Sequence, residues 1–264
     1  MGLGTGRIMG CPDDASAGAL MRRAFELGVK LIDTADLYAD GRSEARIAKA
    51  LRPYPPDVVI ATKGGYLAGN DGPVPDGRPA HLRAACEGSL RRLGLETIEL
   101  FFLHTPDPAV PLSESLGALD TLRAEGKIRH IGLSNVSAGQ LAEAREVVQV
   151  AAVQNGYNVR RRRRFGPEPA LASCEEAGIP FMAYVPLGTG RLIQVDDALR
   201  RVAARHDATA AQVALAWLLA QSEVALPIPG TTSVQHLEEN MAAARLRLEP
   251  ADLEELEADA DAAR

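Results

Sequence analysis

Short apolar runs recur along the chain with longer amphipathic segments between them: GLGTGRI, VKLID, DVVIAT, IELFFLH, IRHIGLSN, AAVQNGYN, IPFMAYVPL and VALPIPG. The runs have strand length. The intervening segments keep helical periodicity, as in Leu112, Leu116, Leu119 and Leu122, or Leu82, Cys86, Leu90 and Leu93, each an apolar stripe suited to covering a sheet. Gly28, Gly94, Gly126 and Gly178 each follow such a segment, where a helix commonly ends on a left-handed residue. About eight βα units in roughly 250 residues is the pattern of a (β/α)8 TIM barrel, an α/β fold. A doubly wound sheet is the alternative, but it usually has fewer units. No shift of composition marks a boundary, so residues 1–264 are expected to form a single barrel domain. The one long irregular stretch, GGYLAGNDGPVPDGRP at 64–79, is expected to be a functional or mobile loop.

With 264 residues, 46% hydrophobic and 24% charged, the chain can bury a sizeable core. Its longest apolar stretch, VALAWLLA, is far short of the roughly 18 residues of a membrane span, so no membrane partner is expected. The start MGLGTG lacks the basic and apolar regions of a signal peptide, and a cytoplasmic location is expected. Cys11, Cys86 and Cys174 are too far apart for a CxxC pair, so neither a disulfide framework nor a metal site is indicated. The five arginines Arg160 to Arg164 stand in a chain of net charge −6. Nucleic-acid binding calls for a basic face, and nucleic acid is not an expected partner. The run reads either as a solvated, self-repelling loop or as a cationic mouth that concentrates a small anion.

In a barrel the chemistry sits where strands end and βα loops begin. Polar residues collect at those positions: Asp33 and Tyr38 after the second run, Lys63 after the third, His104 after the fourth, Ser134 and Asn135 after the fifth, Gln154 and Asn155 after the sixth, and Tyr184 after the seventh. Singly each has an ordinary structural reading, such as a turn cap or a satisfied core histidine. Together an acid, an amine, a phenol and an imidazole form proton-transfer equipment. A neighbouring ammonium is expected to lower the phenol pKa of Tyr38 from its usual value near 10. Asp33 would hold Lys63 in place, and His104 could donate to a substrate carbonyl.

The glycine-rich stretches PLGTG at 186–190 and PGTTS at 229–233 follow the last two runs, and the second opens the segment VQHLEEN. Loops seven and eight of a barrel are a usual phosphate site, and amides at a helix start favour an anion. The opening GLGTGR is not a dinucleotide fingerprint, because its glycines miss the GxGxxG spacing and do not follow a strand.

These residues resemble the aldo-keto reductase superfamily. LIDTADLYADGRSE is similar to its Asp-to-Tyr signature, VVIATK carries its lysine and LFFLH its histidine. GLSN, VQNGYN, YVPLG and IPGTTSVQHLEEN extend the likeness over nearly the whole chain, which looks most like bacterial pyridoxal reductase-type members. The resemblance implies a catalytic tetrad of Asp33, Tyr38, Lys63 and His104, with hydride transfer from NADPH, or from NADH, to a small-molecule carbonyl substrate. It implies that Ser134, Asn135 and Gln154 hold the carboxamide, that Tyr184 stacks on the nicotinamide ring, and that Glu239 and Asn240 reach the adenine. The rest of the cofactor site would be Val185, Pro186, Leu187 and Gly188 with Gly230, Thr231, Thr232, Ser233 and His236. Val185 stands where members often have Ser, and Gly230 and His236 where NADPH-specific members carry Lys and Arg, so a weaker phosphate grip is expected. The N-terminal hairpin that commonly plugs the barrel bottom is expected to be missing. A cofactor-binding regulatory subunit with little turnover, or a ketoreductase for a sugar or natural-product intermediate, are the alternative functions, and oligomeric state is not legible.

Overall fold

A computed structural model describes residues 1–161, 170–190 and 192–262. Arg162, Arg163 and Arg164 of the arginine run lie outside the described residues. Each of the eight apolar runs supplies one strand: β1 (Leu3–Gly4), β2 (Leu31–Asp33), β3 (Val59–Gly64), β6 (Ile98–Leu103), β7 (Ile128–Ser134), β8 (Val150–Gly156), β9 (Phe181–Tyr184) and β10 (Ala225–Pro227). They form one sheet in sequence order, every neighbouring pair parallel. The Gly2 amide donates to the Pro227 carbonyl at 3.1 Å and the Gly4 amide to the Pro229 carbonyl at 3.2 Å. Those bonds join the first strand to the last and close the sheet into a barrel. A doubly wound sheet would keep two open edges, so that alternative is set aside.

The connecting helices follow the apolar stripes: α1 (Asp14–Glu26), α2 (Arg42–Leu51), α3 (Pro79–Leu93), α4 (Leu112–Ala124), α5 (Ala138–Arg145), α6 (Ala170–Ala177), α7 (Leu192–Val195), α8 (Asp197–Arg205), α9 (Ala210–Ala220), α10 (Val234–Ala242) and α11 (Pro250–Ala262). The four glycines expected to end helical segments all have positive φ, from 62° at Gly94 to 89° at Gly28. Alternation along β6 sorts its side chains between two cores. Phe101 and Leu103 pack outward among helices with Leu82, Leu116 and Leu133, while Leu100 and Phe102 fill the barrel with Ala61, Ala152, Met182 and Ile228.

One sequence expectation is corrected. The stretch at 64–79 is not irregular: β4 (Tyr66–Gly69) and β5 (Gly72–Pro75) pair antiparallel as a hairpin. Its glycines and prolines read as a loop, yet Gly69 and Gly72 are the paired residues that bracket the turn. Among the described residues no helix is long and apolar enough to cross a membrane, and no group of three metal-ligating side chains comes together.

The seam gives a stability test. A Cβ built on Gly4 would lie 2.7 Å from the Ile228 carbonyl oxygen, whereas one on Gly117, inside α4, meets nothing within 4 Å. Gly4→Ala is expected to destabilise the barrel by about 1–3 kcal/mol. Gly117→Ala is expected to stabilise it by about 0.5–1 kcal/mol, the usual helix-interior gain. Urea unfolding of both variants decides this, and a Gly4→Ala variant as stable as the parent would show that the seam has slack.

Candidate active site

The parallel register levels the chemistry-bearing strand ends on one rim. Gly4 pairs with Asp33, Asp33 with Ala61, Lys63 with Phe102, Ser134 with Gln154, and Gly156 with Tyr184. Lys63 is fully buried. Its ammonium donates to Asp33 Oδ1 at 2.8 Å, to Asp33 Oδ2 at 2.9 Å and to the Thr34 carbonyl at 2.6 Å. The ring of Tyr38 has its centroid 5.2 Å from Lys63 Nζ and stands edge-on to His104, centroids 6.0 Å apart at 76°. Asp33, Tyr38, Lys63 and His104 are therefore brought together.

Burial would pull the Lys63 ammonium down, but the charge of Asp33, with further support from Tyr38, outweighs it and holds the pKa above its ordinary value. For Tyr38, burial pushes the phenol up and the Lys63 charge pulls it down, and burial wins. The expected lowering is thus overturned: the ammonium acts in that direction, but removal of the ring from water is the larger effect. At neutral pH both protons stay on, giving a neutral phenol beside an ammonium. His104 is pushed down to about 2, first by burial and then by the Lys63 charge, so it is a neutral imidazole throughout the working range. Its Nδ1 is buried without a hydrogen-bond partner, the kind of orphaned polar atom that a ligand or water satisfies.

Several contributors went unassigned in the sequence. Thr5 donates its hydroxyl to the Asp33 carbonyl at 2.8 Å, and Ser43 lies 3.1 Å from Thr5 and 3.0 Å from Thr34, a buried hydroxyl chain joining β1, the β2 end and α2. Glu44, fully buried, accepts from Thr62 at 2.6 Å and from Arg92 at 2.6 Å, fixing β3 one residue before Lys63. Glu44 sat inside the quoted signature, but nothing local distinguished it from a solvated helix acid. Tyr66, on the hairpin, stands edge-on to His104 with centroids 4.7 Å apart.

The residues expected at the cofactor lie along the same rim. Gln154 donates from Nε2 to Asp33 Oδ1 at 2.7 Å. Asn135, at φ 61°, donates to the His104 carbonyl at 2.9 Å and accepts from Tyr184 Oη at 2.6 Å. Ser134 is buried beside it, 3.3 Å from Asn135 Nδ2. The Tyr184 ring lies over Gly156, where a Cβ would come within 3.0 Å of it. Val185, at φ 51°, begins the turn through Pro186 and Leu187, and its carbonyl accepts from the Gly188 amide at 3.1 Å. At the far side Ser233 caps α10 by accepting from the His236 amide, and the Thr231 hydroxyl accepts from the Ser233 amide at 3.0 Å. Thr232 and His236 are exposed, Asn240 is buried, and Glu239 accepts from Gln235. A Cβ on Gly230 would stand 2.9 Å from the Gly4 carbonyl oxygen, so the backbone there is packed against β1.

This donor set fits a nicotinamide dinucleotide. Ser134, Asn135 and Gln154 offer both donors and acceptors, as a carboxamide requires, and the start of α10 offers amides and hydroxyls to a phosphate.

The Aldo/keto reductase family profile matches residues 1–260. An uncharacterized oxidoreductase of Schizosaccharomyces pombe is 40% identical over 255 residues, 94% of this chain and 82% of its own length. Pyridoxine 4-dehydrogenase of Escherichia coli is 40% identical over 250 residues, covering 91% of this chain and 86% of the relative. Among solved structures, a thermostable aldo-keto reductase bound to the inhibitor epalrestat superposes with TM-score 0.85 at 32% identity, covering 98% of this chain and 94% of that one. An aldo-keto reductase from Klebsiella pneumoniae in complex with NADPH superposes with TM-score 0.82 at 31% identity, covering 97% and 89%.

Beside the site, Asp36 Oδ1 is buried without a partner, and burial with the charge of Glu44 raises this carboxyl from its ordinary 3.8 to about 7. Between those values the unfolded chain carries the charge and the folded chain keeps the proton. Stability from this group therefore falls as pH rises from about 4 to 7 and is flat above that window. Asp36→Asn is expected to raise the unfolding free energy at pH 8 by about 4 kcal/mol, and at pH 5 by less than half of that. Urea titrations at the two pH values check this; an equal gain at both would mean that Asp36 is ionised in the folded state.

Proposed function

The chain belongs to the aldo/keto reductase family, and from that premise we propose that it is an NADPH-dependent reductase of aldehydes or ketones working in the cytoplasm. The observation that carries the reading is the fully buried Lys63 ammonium, set between the Asp33 carboxylate and the Tyr38 phenol. Three free, buried cysteines suit a reducing compartment.

Bound along the rim, NADPH would supply the hydride for the carbonyl carbon. The chain's own residues handle the proton and the charge. Tyr38 holds its proton at neutral pH and gives it to the carbonyl oxygen as that oxygen gains negative charge. The phenolate left behind faces Lys63, whose charge stabilises it, and Asp33 keeps the ammonium from moving. His104, neutral in this setting, can donate one hydrogen bond to the same oxygen without competing as an acid. Tyr66 packs edge-on against His104 and places an aromatic ring beside the tetrad. Ser134, Asn135 and Gln154 would orient the carboxamide, and Tyr184 would present its ring to the nicotinamide. The start of α10, with Thr231, Thr232 and Ser233, would receive a phosphate. The relatedness to a pyridoxine 4-dehydrogenase makes a pyridoxal-type aldehyde the first substrate to try.

Tyr38→Phe is expected to lower carbonyl turnover by about 10²–10⁴-fold while NADPH affinity stays within about twofold. Lys63→Met should be impaired as severely. The assay is a panel of aldehydes and ketones followed by NADPH absorbance, with NADH in parallel. Near-parental turnover by Tyr38→Phe would remove the tyrosine from the mechanism. Saturable NADPH binding with no turnover of any carbonyl by the parent would point to a binding subunit.

A further inference from the structure

The ladder between β7 and β8 ends at the pair of Ser134 and Gln154, and the next amide, that of Asn135, still reaches the Gln154 carbonyl at 3.1 Å. One residue further the strand pairing is over. Val136 is nonetheless fully buried in the outer core with Leu133 and Leu141, so its N–H and C=O are shut away from water beyond the end of the ladder. Asn155 takes up both. Its Oδ1 accepts from the Val136 amide at 3.1 Å, and its Nδ2 donates to the Val136 carbonyl at 2.7 Å. Asn155 is itself buried, and its carboxamide offers the donor and the acceptor that a neighbouring strand would have supplied. Alternation along β8 sends Gln154 to Asp33 and leaves Asn155 for the opposite face.

The residue that this contact steadies is the one before it. Asn135 stands at φ 61°, in the left-handed region that a residue with a Cβ enters only at a cost. Its side chain donates to the His104 carbonyl at 2.9 Å and accepts from Tyr184 Oη at 2.6 Å. On the far side of Val136, Ser137 caps α5 in a bond of its own with Gln140. If Val136 could turn, the peptide joining it to Asn135 would turn with it. Asn135 would then relax out of the left-handed region, and its carboxamide would leave both the His104 carbonyl and the Tyr184 hydroxyl. Residues at the ends of β6, β7 and β9 thus meet at one strained asparagine, and a side chain of β8 keeps its neighbour still.

We propose that Asn155 is a positioning residue: by holding Val136 it keeps Asn135 left-handed, and through Asn135 it sets where the nicotinamide half of the dinucleotide sits, with no part in holding the adenosine half. The inference rests on the reading of Ser134, Asn135 and Gln154 as the carboxamide site and of Tyr184 as the partner of the ring. Adjacent residues of β8 then divide the work, Gln154 facing the ion pair and the cofactor while Asn155 acts from behind the sheet.

The test uses the full-length protein and two probes, NADPH and the phosphoadenosine diphosphoribose portion of NADPH, which keeps the phosphates and the adenosine but has no nicotinamide. Asn155→Asp keeps the shape and the acceptor but turns an oxygen toward the Val136 carbonyl, and Asn155→Ala removes both bonds. Ser137→Ala is the control, because it takes the cap from α5 in the same loop and leaves the Val136 bonds in place. Calorimetry reads the two dissociation constants, and amide hydrogen exchange of the ligand-free chain reads Val136. Both Asn155 variants are expected to weaken NADPH at least tenfold, to leave the fragment within twofold, and to speed exchange at Val136 at least tenfold. Ser137→Ala is expected to lower thermal stability with both affinities within twofold of the parent. Equal losses for the two probes in the Asn155 variants would make Asn155 a support of the whole rim and overturn the proposal. NADPH affinity that stays parental would overturn it too, as would the same selective loss in Ser137→Ala, which would trace the effect to loop stability in general. Asn155→Asp decides the matter by itself if Asn155→Ala does not fold. A parent chain that binds neither probe overturns the functional reading together with this one; a parent that binds both equally has no nicotinamide grip for Asn155 to set, which overturns the positioning role and leaves the reductase reading standing.

Discussion

The site depends on one buried cation. Taking an ammonium out of water costs several kcal/mol unless its hydrogens find acceptors and its charge a partner. Lys63 meets both conditions with the two oxygens of Asp33 and the Thr34 carbonyl. Those acceptors come from β2 and the residue after it, so the ion pair pins β2 to β3 at the rim. Gln154 then brings β8 onto the same carboxylate from across the barrel. Because the pair has so few ways to be satisfied, the position of the charge beneath Tyr38 is fixed before any ligand arrives.

Around this pair the supports fall into two kinds. Below the rim they are closed and hydrogen-bonded: the hydroxyls of Thr5, Ser43 and Thr34, and the Glu44 carboxylate held by Thr62 and Arg92. Above the rim they are loops held by single side chains, such as Asn135 between the His104 carbonyl and Tyr184, and Asn158 and Arg160 against the β9 loop. A rigid base with adjustable walls is how a barrel keeps one chemistry while its loops set what may approach. The neutral phenol also follows from the base: the same burial that makes the ion pair strong keeps the Tyr38 proton on.

Much of this was written in the sequence, and each legible part has a local cause. The alternation of strand-length and helix-length apolar periods determined eight parallel strands and their order, because side-chain periodicity dictates which face is buried. The left-handed positions at Gly28, Gly94, Gly126 and Gly178 could be read because a helix C-terminus demands them locally. Asp33, Lys63, His104 and Gln154 could be placed on one rim because a strand ends where its apolar run ends.

Tertiary structure alone decided the rest. The hairpin of β4 and β5 came from cross-strand pairing, which glycines and prolines in the local pattern concealed. The sign of the Tyr38 shift required knowing how far burial outweighs one neighbouring charge. Gln154 meets Asp33 across 121 residues of sequence, and Arg160 meets Asp196 across 36. Periodicity reports which way a side chain faces, whereas hydrogen-bond partners and desolvation are set by what the rest of the chain packs against it.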